Sequence, residues 1–298
     1  MTKYIKKFEL TSKYEEYINS DIALLPNISI IKDINGIHYN PIYDYSQDYL
    51  TFVAKEDGTF KFIGNSINYS VDDGKTWTTL SSNTDTPTVQ AGNKIMFKAT
   101  LIPQDSSGIG TFSSTSKFIA QGNVMSLLYG DDFIGQKDLT GKDYVFYDLF
   151  NSCTGLINAK NLCLPATTLT NNCYSGMFNG CTSLTIAPEL PATTLANNCY
   201  SGMFNGCTNL NYIKMLATNI GATNCLNNWV SGVSSTGTFV KHPNMTSLPT
   251  GSSGIPTGWT AYTEDEYKHI NNTGSSSISS ISNEDIDTVW NNIFNNEK

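Results

Sequence analysis

In the second half of the chain, apolar positions recur with a spacing of 26 residues. The phrase Leu-Pro-Ala-Thr-Thr-Leu occurs at 164–169 and 190–195, and Asn-Cys-Tyr-Ser-Gly-Met-Phe-Asn-Gly-Cys-Thr occurs at 172–182 and 198–208. A degenerate copy precedes them at 150–154. This period is typical of solenoids, in which a single coil cannot bury its own apolar face. The pattern therefore predicts stacked coils in which each apolar position forms a column.

The residues of one copy that the spacing directs into the coil are mostly apolar. They are Leu164, Leu169, Met177, Phe178, Cys181 and Leu184. All seven cysteines lie in this half of the chain, at Cys153, Cys163, Cys173, Cys181, Cys199, Cys207 and Cys225. Seven is an odd number, and no Cys-x-x-Cys pair is present to resemble a zinc site. We predict buried structural thiols in preference to disulfides or a metal site, and we expect no cofactor.

Tyr174 and Tyr200 occupy equivalent positions in the two copies, each beside an inward cysteine. A column of tyrosines suits contact with a sugar or a protein, since the ring is apolar and the hydroxyl is polar. The same column suits packing between coils equally well. Both interpretations stay open, and the two tyrosines are candidate ligand-facing residues.

The segment 46–119 changes to alternating apolar and polar positions that predict short strands. Strands are expected at 51–54, 60–62, 67–70, 76–80 and 94–101, with the first two joined as a hairpin by a turn at 56–58. Several short strands with frequent turn signals predict a small, Ig-like β-sandwich.

Within this segment, Ser70-Val-Asp-Asp-Gly-Lys-Thr-Trp77 matches the Asp-box pattern known from sialidases. A sialidase needs several such boxes and an arginine cluster, whereas this chain has one box and no arginine. A glycosidase also needs two facing carboxylates, and Glu189 is the only acid between Asp148 and Glu264. We therefore predict a turn in which Asp72 accepts backbone N–H bonds, Gly74 takes a positive φ and Trp77 packs beneath.

The repeated phrases resemble the BspA-like leucine-rich repeats. These occur in surface proteins of gut Bacteroidales and, in this variant, in proteins of (crAss-like) phages that infect them. The resemblance covers roughly 120–261, including a closing stretch, 237–259, that resembles the capping segment of the same proteins. It implies a leucine-rich-repeat solenoid with a recognition or structural role and no catalysis. The overall expectation is a mainly β chain with short helices, in which the sandwich precedes the solenoid.

The two ends have the character of attachment segments. We assign 1–45 to an N-terminal attachment segment and 262–298 to a linker and a C-terminal amphipathic helix. The helix places five apolar residues on one stripe. They are Ile286, Val289, Trp290, Ile293 and Phe294. A helix this short is marginal alone, so it packs on its own chain or docks into a partner.

Composition removes several function classes. The chain has 18 lysines, no arginine, 32 asparagines and a net charge of −8, which argues against nucleic-acid binding. No apolar run reaches the ~20 residues of a membrane span, and Met1–Leu10 lacks the run of a signal peptide. His38, His242 and His269 are scattered, so we give a Cys–His catalytic pair little weight.

These observations favour a non-enzymatic virion protein of a phage, such as a head fibre, a tail fibre or a capsid decoration. It would be made in the host cytoplasm, anchored through its termini to capsid, portal or tail proteins, and compatible with a homotrimer. A host surface glycan or protein is the expected receptor. The alternative is a bacterial surface adhesin of the same repeat family, and a carbohydrate-active enzyme ranks below both.

Overall fold

The computed structural model describes residues 44–103, 106–245 and 247–273. Its strands are β1 (Leu50–Ala54), β2 (Phe60–Gly64), β3 (Ile67–Ser70), β4 (Thr78–Leu80), β5 (Lys94–Lys98), β6 (Gly110–Ser114), β7 (Phe118–Asn123), β8 (Leu156–Cys163), β9 (Ile186–Leu190), β10 (Tyr212–Met215), β11 (Thr238–Lys241) and β12 (Thr260–Thr263). The α-helices are α1 (Ser126–Tyr129) and α2 (Glu264–Thr273), and 3₁₀ turns lie at Tyr45–Gln47 and Gly130–Asp132. The described part is mainly β with short helices, as the sequence predicted.

The first eight strands form two sheets around a cluster of phenylalanines. The larger sheet has the order β4-β3-β5-β1-β7-β8, and β2 pairs with β6 in a separate two-stranded sheet. Phe52 lies fully buried at the centre, with the rings of Phe60, Phe97 and Phe118 within 5.3 Å of its own, centroid to centroid. The predicted hairpin is wrong, because β1 pairs with β5 and β7 while β2 pairs with β6.

Strand β7 joins the β-rich first half to the repeats. It pairs antiparallel with β1, where Phe52 lies opposite Ala120, and parallel with β8, where Phe118 lies opposite Leu156. Residues Tyr45–Ile270 pack as one compact unit. The predicted module boundary at 119/120 therefore falls inside a strand whose neighbours come from both sides, and the four-part domain division stays a prediction.

Each repeat contributes one strand to a parallel array. Strands β9, β10, β11 and β12 lie side by side and all run parallel. Strand β8 precedes β9 in this stack, because the Thr185 N–H donates to the Ile157 carbonyl at 3.0 Å. The apolar residues of these strands that face inward are buried, Leu190, Ile213 and Phe239 among them. The coils thus lie on one another in the order of the chain.

Between strands, the chain runs through overlapping β-turns at 142–153, 170–181, 196–207 and 222–231, which we call the turn segments. Inside a segment, every second N–H donates to the carbonyl three residues earlier, as Met177 does to Tyr174 at 3.2 Å. The intervening N–H groups donate to the next segment, as Phe178 does to Met203 at 2.9 Å. Since both sets of donors are used, the turn segments form a continuous backbone ladder along the stack.

The ladder requires a positive φ at every fourth residue of a turn segment. In the second segment these residues are Asn172, Gly176 and Gly180, with φ of 56°, 65° and 70°. Glycine and asparagine reach this left-handed region most easily, which explains their places in the repeat. The first segment adopts the same backbone with Tyr144, Asp148 and Ser152 at the matching positions.

Side chains of successive turn segments form buried columns. The Phe178 ring stacks between Phe150 and Phe204, with centroids 5.4 and 5.5 Å away, and interplanar angles of 6° and 11°. Trp229 continues this column beyond Phe204. The predicted inward residues are buried, apart from the half-buried Leu169. The prediction of apolar columns is therefore confirmed.

Helix α2 packs on the outer face of the parallel array. Lys214 of β10 joins two elements, because its Nζ lies 2.9 Å from Glu189 of β9 and 3.0 Å from Glu264 of α2. Tyr267 of the helix contacts the rings of Tyr212 and Tyr262. These contacts hold the start of the helix against β10 and β12. Among the described residues, no helix is long and apolar enough to cross a membrane.

Candidate binding cleft

The two candidate ligand-facing tyrosines lie inside the stack. Tyr174 and Tyr200 are each only 1% exposed, and their rings lie 6.0 Å apart in a column that begins at Phe146. Burial raises the pKa of both hydroxyls well above the ordinary value. The interpretation of these residues as ligand-facing is wrong, because their positions point into the coil rather than out of it.

The Tyr174 hydroxyl stands out within this column. In the part of the chain that the structure describes, Tyr174 Oη is the one buried side-chain polar atom that has no hydrogen-bond partner. A buried hydroxyl of this kind costs about 1–3 kcal/mol, since it loses its bonds to water without replacing them.

Replacing Tyr174 by phenylalanine should therefore stabilise the protein. We expect Tyr174→Phe to raise the free energy of unfolding by about 1 kcal/mol, since it removes only the unpaired hydroxyl. Urea denaturation measures the change, and Tyr200→Phe, at the equivalent position in the next coil, serves as the control and should gain less. A loss of stability in Tyr174→Phe would show that the hydroxyl has a partner.

Of the other residues that the sequence singled out, several lie outside the part of the chain that the structure describes, and the cysteines pack within the stack. The stripe Ile286, Val289, Trp290, Ile293 and Phe294 lies outside the described residues, and so does His38. The thiols of Cys181 and Cys207 donate to the carbonyls of Phe150 and Phe178, each at 3.0 Å. Burial raises the pKa of Cys207 to about 12. Six of the seven cysteines are therefore buried packing groups, as predicted, whereas Cys163 is only half-buried.

The Asp-box sequence folds as a tight turn between β3 and β4. Asp72 Oδ1 accepts the Thr76 N–H at 2.9 Å, and its Oδ2 accepts the Thr76 hydroxyl at 2.6 Å. These bonds and that from the Ser70 hydroxyl lower the pKa of Asp72 to about 2. Gly74 has a φ of 79°, and Trp77 lies beneath, 4.9 Å from the Tyr49 ring. The prediction of a structural turn is confirmed.

Lys98 connects this turn to the 3₁₀ turn Gly130–Asp132. Its Nζ lies 4.3 Å from the centroid of the Trp77 ring and 2.6 Å from Asp131 Oδ1. The same carboxylate oxygen accepts the Tyr49 hydroxyl at 2.7 Å. The hydrogen bond from Lys98, and after it the one from Tyr49, lowers the pKa of Asp131. Burial, together with the hydrogen bond to Asp131, raises the pKa of Tyr49 to about 12. The cluster fixes both turns relative to strand β5.

A cleft of about 310 Å³ opens beside this cluster. Its strand side carries Asn68, Lys98 and Thr100, and its turn side carries Tyr129, Asp131 and Asp132. Asn68 of β3 lies directly opposite Lys98 of β5 in the sheet register, so both side chains project on the same face. Every lining side chain just named offers a hydrogen-bonding group at a partly open surface.

No family model, curated protein or solved structure matches this chain. Sequence reasoning did not find the cleft. Its parts come from β3 (Ile67–Ser70), β5 (Lys94–Lys98) and the turn Gly130–Asp132, which are far apart in the sequence. The Asp box was the one visible signal in this region, since it supplies Trp77, over which Lys98 is held.

Proposed function

We propose that the protein is a non-enzymatic structural and adhesion component of a phage virion, such as a head fibre, a tail fibre or a capsid decoration. In this proposal the first half is an Ig-like recognition module and the repeats are a BspA-like leucine-rich-repeat solenoid. Its termini anchor it to capsid, portal or tail proteins. A homotrimer is compatible with such an arrangement.

The observation that carries the proposal is that the repeated residues serve to pack the stack and to form its turns. The aromatic rings and thiols of the motif fill the buried columns of the stack. Its glycines with positive φ form the turns. A solenoid of this kind is stiff because each coil is hydrogen-bonded to its neighbours, and it presents a regular outer surface. Such a body suits a protein that holds a recognition module away from a particle.

The choice of a virion rests on the resemblance of the repeats to those of phages of gut Bacteroidales. Mass spectrometry of phage particles, purified on a density gradient from a producing culture, tests it. The proposal predicts the protein in the particle fraction at a constant ratio to the major capsid protein. Recovery only in the envelope fraction of the host would overturn the proposal in favour of a bacterial adhesin.

A further inference from the structure

We propose that the cleft between β3, β5 and the turn Gly130–Asp132 binds a single neutral pyranose ring of a host surface glycan. The inference rests on the proposed function, whose recognition role it specifies. It requires a site of suitable size, a lining that matches sugar hydroxyls, and a geometry that is set before the ligand arrives.

The size of the cleft suits one sugar ring. Ligand sites occupy about 300–1,000 Å³, and the volume of about 310 Å³ is at the lower end of this range. A polymer would therefore be recognised through one residue, with its neighbours extending into solvent at the open side. This geometry fits the end or a branch of a surface glycan.

The lining offers donors and acceptors in the mixture that a polyol needs. A sugar hydroxyl both donates and accepts, so it pairs best with a carboxylate together with an ammonium or an amide N–H. Asp132 is an exposed carboxylate on the turn side, and the Lys98 ammonium lies on the strand side. Asn68 Oδ1 accepts the Thr79 hydroxyl at 3.1 Å, which orients its Nδ2 donor. Tyr129 adds apolar ring surface for the C–H groups of the sugar.

Other ligand classes fit the same lining less well. A phosphate or an acidic sugar would meet the carboxylates of Asp131 and Asp132 in a chain whose net charge is −8. A divalent cation would be repelled by the Lys98 ammonium, which already holds Asp131 Oδ1 at 2.6 Å. An apolar peptide would leave the polar groups of the lining unpaired on binding.

The backbone around the cleft is fixed on both sides. The Gly130 N–H donates to the Ala99 carbonyl at 2.7 Å, and the Ala99 N–H donates to the Ser126 carbonyl at 2.9 Å. Lys98 is held between Trp77 and Asp131. A ligand that enters this cleft orders little of the protein, so binding avoids the cost of immobilising loops and side chains.

Saturation-transfer NMR of the full chain with methyl glycosides of glucose, galactose, mannose and N-acetylglucosamine tests the proposal. At least one glycoside should bind with a Kd of about 1 mM or tighter. Asp132→Ala and Asn68→Ala should weaken it by about tenfold, the loss of one charge-assisted or amide hydrogen bond. Glu56→Ala removes an exposed carboxylate that does not line the cleft, and it should leave the Kd unchanged.

The proposal is overturned if no glycoside of the panel binds at about 10 mM, tenfold above that Kd. It is equally overturned if Asp132→Ala and Asn68→Ala bind as tightly as Glu56→Ala, because the sugar then sits elsewhere. Thermal unfolding of each variant confirms that it is folded. Detection in virions is a separate readout, so a protein that is present there and binds no sugar rejects the cleft alone.

Discussion

Raising the pH from 8 to 10 is expected to lower the free energy of unfolding by several kcal/mol, about 1.4 kcal/mol for each buried thiol whose pKa is about 12. Burial raises the pKa of Cys153, Cys199 and Cys207 from 9.0 to about 12, and it raises the pKa of Cys173 and Cys181 well above 9.0. These thiols stay neutral in the fold and ionise at about pH 9 in the unfolded chain. Their contribution to stability is complete below pH 9 and is lost as the pH rises toward 12.

The size of this effect follows from linkage. At one pH unit above the unfolded pKa, each of the three thiols whose pKa is about 12 has lost about 1.4 kcal/mol, and the three together have lost about 4 kcal/mol. This loss is a large part of the total stability of an ordinary protein, about 5–15 kcal/mol. Urea denaturation at pH 8, 9 and 10 under reducing conditions measures it.

A variant isolates the contribution of one thiol. Cys207→Ala should be less stable than the natural chain at pH 8, yet it should lose about 1.4 kcal/mol less between pH 8 and pH 10, since the pKa of Cys207 is about 12. A free energy of unfolding that stays constant across this range would mean that the cysteines ionise as readily in the fold as outside it. The burial of these thiols within the stack would then be wrong.

Removing the ring of Phe178 should cost about 3–5 kcal/mol of unfolding free energy. The side chain is fully buried, and it stacks on Phe150 and Phe204, so its loss opens a cavity between three coils. The coils are fixed by the backbone ladder and cannot collapse into the space. Urea denaturation of Phe178→Ala measures the change.

Ile134→Ala provides the control for this substitution. Ile134 is also a large apolar residue, but it is 52% exposed, so the change should be about 0.5 kcal/mol or less. Comparable losses in the two variants would contradict the central position of Phe178 in the stack.

The repeat and its interior were predictable from the sequence because two near-identical copies reveal the period directly. Equivalent positions must then share an environment, which places Cys181 with Cys207 and Met177 with Met203. The first turn segment was predicted only at 150–154, because Tyr144, Asp148 and Ser152 replace the residues that mark a left-handed backbone elsewhere. Their conformation follows from hydrogen bonds to the next coil, which no local pattern encodes.

The pairing of β2 and the cleft were not predictable for the same reason. A turn at 56–58 indicates a hairpin locally, whereas the partner of β2 is Gly110–Ser114, about 50 residues away. The cleft depends on the register that brings Asn68 beside Lys98 and on the turn that brings Asp131 to them. The equal split between ligand contact and packing for Tyr174 and Tyr200 reflected a similar limit, since a column faces inward or outward according to the backbone that carries it.

Disulfide trapping between exposed residues of neighbouring coils tests the stacking of the coils most directly. Thr182 and Thr208 lie on neighbouring coils, with Thr208 Oγ1 3.5 Å from the Thr182 carbonyl oxygen. Parallel neighbours about 4.8 Å apart satisfy the geometry of a disulfide.

Thr182→Cys with Thr208→Cys should crosslink rapidly on mild oxidation. Thr182→Cys with Thr218→Cys should not, because Thr218 lies against Thr193. Equal crosslinking rates in the two pairs would contradict a stack in which each residue lies beside the one 26 positions later.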